Sequence, residues 1–176
     1  FSSCMLMKEA PPPKVKTAPP PQASVQTPDH DRHLSTPGHP NQVIDSYKTE
    51  IEKTPKNEDV IRNFAKSLEA MHKTAERSYG RHDYASAGKT YYLLLKRYTD
   101  FKDAAHLLSF NKTQLNARLT NCKTALYQKG FQEYREGNIG NAIATWQDYL
   151  EIDPDNADIK RALSTAKAQQ KNLRHN

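Results

Sequence analysis

The densest group of potential ligands in this sequence is Asp29-His30-Asp31-Arg32-His33, with His39 six residues further on. Imidazole and carboxylate are common donors to transition metals, so the atoms are suitable. Their spacing is irregular, however, and the stretch has no helical or strand pattern to hold the donors at fixed distances. The expectation is a solvated linker, with no metal and no cofactor. The two thiols, Cys4 and Cys122, stand 118 positions apart. That excludes a CxxC zinc or redox pair and a CxxCH haem attachment. Cys122 falls on an apolar helical stripe and reads as a small core residue. His72, His82 and His106 share no ligand spacing. GxSxG, HExxH, GxxxxGK and GxGxxG are all missing, so no catalytic residue is assigned and the chain reads as a non-enzyme. Asn111-Lys112-Thr113 matches a glycosylation acceptor, a triplet that is common by chance.

Nine of the eleven prolines fall in the first forty residues, while Pro55 and Pro154 stand alone between helical patterns. The segment Ala10–Pro40 holds Pro-Pro-Pro twice and almost no large apolar side chains. It cannot bury enough surface to offset the entropy of ordering, which predicts a disordered tether with polyproline II character. The domain boundary is therefore expected near residue 40, with a tether over 1–40 and a folded domain over 41–176. The net charge of +6 is thinly spread. Basic residues outnumber acidic ones by four to three in 1–40, eleven to nine in 41–100 and eleven to eight in 101–176. No basic run exceeds a pair such as Lys96-Arg97, so nucleic acid is not an expected partner. No apolar stretch approaches the roughly 20 residues that span a bilayer.

From Asn41 onward the apolar residues follow helical spacing and strand-type runs are missing. The clearest stretch is Leu126–Pro154. Gly130 and Ala142 are small residues suited to a helix crossing, Gly137-Asn138 supplies a turn, and Ile139, Ile143, Trp146 and Leu150 form a buried stripe before Pro154. With Tyr134, these residues resemble a tetratricopeptide repeat. A weaker copy lies 55 residues earlier, where Ala75, Tyr79, His82, Tyr84, Ala87, Tyr91 and Leu95 take the places of Gly130, Tyr134, Gly137, Ile139, Ala142, Trp146 and Leu150. Val43, Tyr47 and Ile51, closed by Pro55, form a half-copy 44 residues before that.

The resemblance implies an all-α, tetratricopeptide-like array of antiparallel helix pairs, about five to six helices in all. Both spacings exceed the roughly 34 residues of a standard repeat. The excess predicts elongated first helices rather than inserted loops. In the second pair a stripe from Ala104 through Leu108, Leu115 and Leu119 leads into the repeat, with Asp100 and Asp103 as its N-cap signal; a break near Asn111 is the alternative. A last helix is expected from Asn156 to about Leu173 behind an Asp155–Asp158 cap, with a Lys/Gln-rich outer face.

Arrays of this family hold partner proteins along their first helices, which points to Tyr127, Phe131, Tyr134, Arg135, His72 and Tyr79 as exposed partner-binding residues, beside Glu76. Aromatic and Arg side chains are favoured interface anchors. Packing of the aromatics on a neighbouring helix is the alternative. Some relatives grip a carboxylate with paired Lys and Asn; His72, Glu76 and Gln128 occupy those positions here, so that mode is not expected.

The opening Phe1-Ser2-Ser3-Cys4 resembles the end of a bacterial lipoprotein signal peptide. The resemblance implies lipid on Cys4, a membrane attachment through it, and a proline-rich spacer behind it. Met5 in place of Asp implies the outer membrane, so the expected location is the bacterial cell envelope. An ordinary free cysteine is the alternative. The resulting reading is a non-enzymatic envelope lipoprotein serving as a protein-interaction scaffold or assembly factor. Its competitor is a structural subunit of an oligomer or filament packed through the long helices.

Overall fold

The computed structural model describes residues 40–175, with side chains to Leu173. Cys4, the proline-rich stretch and the Asp29–His33 cluster lie outside the described residues. The described chain is all-helical: α1 (Pro40–Lys53), α2 (Glu58–Gly80), α3 (Tyr84–Lys96), two 3-10 turns (Tyr98–Phe101 and Ala105–Leu107), α4 (Lys112–Arg135), α5 (Ile139–Ile152) and α6 (Ala157–His175). Each helix packs on the next in sequence, and α3 also meets α5. No described helix is long and apolar enough to cross a membrane.

Local chemistry explains where the helices start. Asn57 caps α2, its side-chain oxygen accepting from Asp59 N–H at 3.1 Å and Val60 N–H at 3.3 Å. Asn111 and Gln114 form a reciprocal capping box at the start of α4, at 2.9 and 3.0 Å. Two orphan donors are satisfied at once, which is a strong start signal. At α6 the cap is Asn156, which accepts from Ile159 N–H at 3.0 Å; the Asp155 cap expected from sequence is one residue early.

The capping box corrects the reading of the second pair. Helix α4 does not reach back to Ala104: the break falls at Asn111, and Asp100 and Asp103 cap nothing there. Residues 97–111 form a connection of 3-10 turns, with Phe101, Ala104 and Phe110 buried as anchors. Phe101 meets Phe64 edge-on at 5.9 Å, and Tyr47 of α1 stacks on Phe64 at 5.2 Å. Asp100 instead binds Lys48 at 3.1 Å and Arg97, which also reaches Asp45 of α1. The first helices are nonetheless long, 23 and 24 residues for α2 and α4 against 13 and 14 for α3 and α5. Extra length is thus shared between helix and inserted chain.

The two turns match. His82 has φ 61° and Gly137 φ 81°. In both, the N–H of this residue bonds back three residues (His82 to Tyr79 O, 2.9 Å; Gly137 to Tyr134 O, 3.1 Å). The next N–H bonds back five (Asp83 to Ser78 O and Asn138 to Glu133 O, both 2.9 Å). This pattern closes the open carbonyls at a helix end through one left-handed residue. Glycine adopts that conformation freely, whereas His82 bears the Cβ penalty; its ring nitrogen lies 2.8 Å from the Tyr84 hydroxyl.

One continuous core runs through all six helices. At its centre Gly130 lies against Trp146: a methyl on Gly130 would come within 2.6 Å of Cδ1 of the indole and closer still to its nitrogen. Gly130 therefore makes room for the Trp146 ring, which is fully buried.

Candidate functional site

Side chains of α2 and α4 meet in a set of polar contacts. Arg118 of α4 makes a bidentate bond to Glu76 of α2, at 2.9 and 2.8 Å. The Tyr91 hydroxyl of α3 donates to the same carboxylate at 2.7 Å, and His72 Nε2 lies 3.7 Å from it. Burial pushes the Glu76 carboxyl up, but hydrogen bonds from Tyr91 and Arg118 and the nearby charge outweigh this and hold it below its ordinary value. Burial, reinforced by the hydrogen bond to Glu76, drives the Tyr91 hydroxyl upward. The Arg118 guanidinium also lies over the Tyr79 ring at 4.5 Å, a cation–π contact.

Around this network is a groove of about 390 Å³, bordered by His72 and Glu76 from α2 and by Gln114, Arg118 and Asn121 from α4. Ser109 of the connection closes one end. Its hydroxyl donates to Glu69 at 2.8 Å, its N–H donates to the same carboxylate, and Phe110 stacks on His72 at 4.5 Å. Along α4, Gln114, Asn121, Gln128 and Arg135 recur every seven residues and are all exposed. Seven residues are close to two turns, so these side chains form one polar stripe.

The candidate residues separate into two groups. His72 and Tyr79 belong to the α2–α4 network and are partly buried, Tyr79 also meeting Tyr84 edge-on at 5.5 Å and accepting from Asn121 at 3.3 Å. Tyr127, Phe131 and Tyr134 lie further along α4. Of these only Tyr127 is open to solvent, at 40%. Phe131 packs edge-on to Trp146 at 5.1 Å, and Tyr134 lies 5.6 Å from the same ring while its hydroxyl donates to Gln169 of α6 at 2.7 Å. The expectation that these residues stand exposed is thus corrected for His72, Glu76, Tyr79, Phe131 and Tyr134. Phe131 and Tyr134 border the side of α4 that packs on Trp146 of α5, and aromatic rings gain from that contact. Arg135 is exposed.

Gln114, Arg118, Asn121 and Ser109 were not among the residues singled out from sequence. The seven-residue recurrence on α4 is the signal that points to two of these, Gln114 and Asn121; the Glu76–Arg118 pairing, 42 residues apart, left none. Cys122 is fully buried, and burial pushes its thiol up to about 11, so the thiolate needed for nucleophilic chemistry is suppressed. Among the described residues no group of three or more His, Cys, Asp or Glu is placed to hold a metal ion.

No protein-family model matches the chain, and neither the curated proteins nor the solved structures searched contain a match.

Proposed function

We propose that this chain is a non-enzymatic scaffold of the tetratricopeptide type, holding a protein partner on the face where α2 and α4 adjoin and attached to a bacterial envelope membrane through lipid on Cys4. The observation that carries the repeat reading is the duplicated hairpin. The left-handed turn residue, its two back-bonds, the fully buried Ala87 and Ala142, and the aromatic pair Tyr91 and Trp146 all recur at an offset of 55 residues. A partner surface of the α2–α4 kind suits such an array, because the groove and the polar stripe of α4 lie on the side that no third helix covers with buried apolar residues. Membrane attachment rests on the Phe1–Cys4 pattern alone.

Replacing Asn121 or Gln128 with a photo-crosslinking residue tests the surface in the source cell. Both positions should capture the same protein, and Gln147, exposed on α5, should not. Capture at Gln147 with equal yield would sink the assignment. Mass spectrometry of the native N-terminal peptide tests the anchor, which an unmodified Cys4 removes. The competing oligomer reading calls for exposed apolar area along the long helices. The exposed large apolar side chains among the described residues are Leu107, Tyr127 and Leu173, on separate elements, and a monomer by light scattering would dispose of it.

A further inference from the structure

Helix α6 concentrates the charge that the rest of the chain spreads out. From Ile159 to His175 it carries Lys160, Arg161, Lys167, Lys171 and Arg174 and no acidic residue. Ile159 and Ala166, both fully buried, define its inner side. Lys160, Ser164, Lys167, Lys171 and Arg174 follow one another at steps of four, three, four and three residues, which places them on one face. At about 100° per residue, that face is centred more than a quarter turn from the Ile159–Ala166 line. Lys160, Ser164, Lys167 and Lys171 are all exposed.

Some basic residues elsewhere are neutralised across elements. Lys48, Lys89, Arg97, Arg118 and Lys123 each meet a carboxylate on another element. On α6, Arg161 is paired with Asp158 one turn away and Lys160 reaches Asp155 only at 4.0 Å. Lys167 and Lys171 have no ion pair among the described residues. Their positive field is therefore uncompensated, and it extends about a Debye length into solvent at physiological salt.

We propose that the outer face of α6 docks on an anionic phospholipid surface. Four to eight Lys or Arg on an amphipathic helix match the negative potential of such a surface, and the register of α6 brings four to this face. The described members of the stripe are Lys and Ser. Flexible ammonium groups suit a layer of mobile headgroups, whereas nucleic-acid faces set aromatic platforms or base-reading forks among their phosphate contacts. No aromatic residue lies on α6. The apolar side of α6 is committed to α5, so the contact is electrostatic and lies flat on the surface rather than inserted. The inference is independent of lipid on Cys4 and of any protein partner.

The test uses the full chain with Cys4→Ser, so that no acyl group contributes. Co-sedimentation with vesicles of phosphatidylcholine containing phosphatidylglycerol should show binding at low salt and release at high salt. Lys167→Glu with Lys171→Glu should lower the partition at least about tenfold, at roughly 1 kcal/mol per charge near the surface. Lys167→Gln with Lys171→Gln should give an intermediate loss. Lys66→Glu with Lys73→Glu, exposed positions on α2 with the same change in net charge, should bind almost as the parent does. The proposal is overturned by no binding, by equal binding to pure phosphatidylcholine, by an equal loss in the α2 control, or by tighter binding to duplex DNA than to the anionic vesicles.

Discussion

At the centre of hairpin α4–α5, Trp146 lies over Gly130 with its indole N–H buried and without a hydrogen-bond partner. In hairpin α2–α3, 55 residues earlier, Tyr91 and Ala75 take the positions of Trp146 and Gly130, and the Tyr91 hydroxyl reaches Glu76 and through it Arg118 of α4. Both aromatic rings are fully buried, at 1% and 0%. One hairpin thus gains from a larger apolar side chain and carries an orphan donor, a desolvation cost of about 1–3 kcal/mol. The other spends the same volume on a polar contact that ties three helices together. The groove therefore lies beside the first hairpin, because only there does the central aromatic extend a polar atom toward the α2–α4 contacts.

Exchanging the small residues should separate the hairpins most. Gly130→Ala drives a methyl into the Trp146 ring and is expected to cost about 3 kcal/mol, the upper part of the range for overpacking. Ala75→Gly removes a methyl and loosens a helix, for about 1–2 kcal/mol. Urea denaturation midpoints give both values, and equal costs would break the comparison. Next in size is Tyr91→Phe. Losing a hydrogen bond to a carboxylate should lower stability by about 1.5–3 kcal/mol and loosen Arg118. Faster amide exchange at the start of α4 would register that.

The turns should respond in opposite directions. Gly137→Ala places a side chain at φ 81° and should destabilise by about 1 kcal/mol. His82→Gly relieves the same penalty in the first hairpin but loses the Tyr84 contact and adds unfolded-state entropy, so a gain of less than about 1 kcal/mol is expected. Thermal melts compare the two, and a loss on His82→Gly would mean that the ring contact outweighs the backbone strain.

The smallest effect concerns pH. Because Glu76 is held below its ordinary value of 4.5, its contribution is complete above that pH. It is lost as the pH falls through the lower native value. Stability measured below pH 4.5 should therefore decline less steeply in Glu76→Gln than in the parent chain. No matching carboxylate couples Trp146 to α4, so variants of the second hairpin should keep the parent slope.

Much of the fold was legible in the chain itself. Period-3.6 stripes, the Gly137 turn and the proline stops are local signals, and they name the helices and their approximate ends. The equivalence of His82 with Gly137 followed from register alone, and the backbone at both is left-handed. The start of α4 was harder, because Ala104 and Leu108 continue the apolar spacing of the helix although their backbone does not. Only the reciprocal bonds of Asn111 and Gln114 and the burial of Phe101 and Phe110 decide the break. Of the candidate site, the aromatics were visible as residues but not as to which side they face. Phe131 and Tyr134 have the same helical phase whether a neighbour or solvent receives them.

Periodic and local features were thus encoded along the chain: helix content, turn positions, small residues at the crossings and the weak overall charge. Tertiary structure alone decided which side chains a second helix meets, and hence the Glu76–Arg118–Tyr91 network, the groove beside it and the uncompensated lysines of α6. The physical reason is one of range. Caps and turns act over a few residues of backbone, whereas ion pairs, burial and surface charge depend on distances between atoms that are tens of residues apart along the chain.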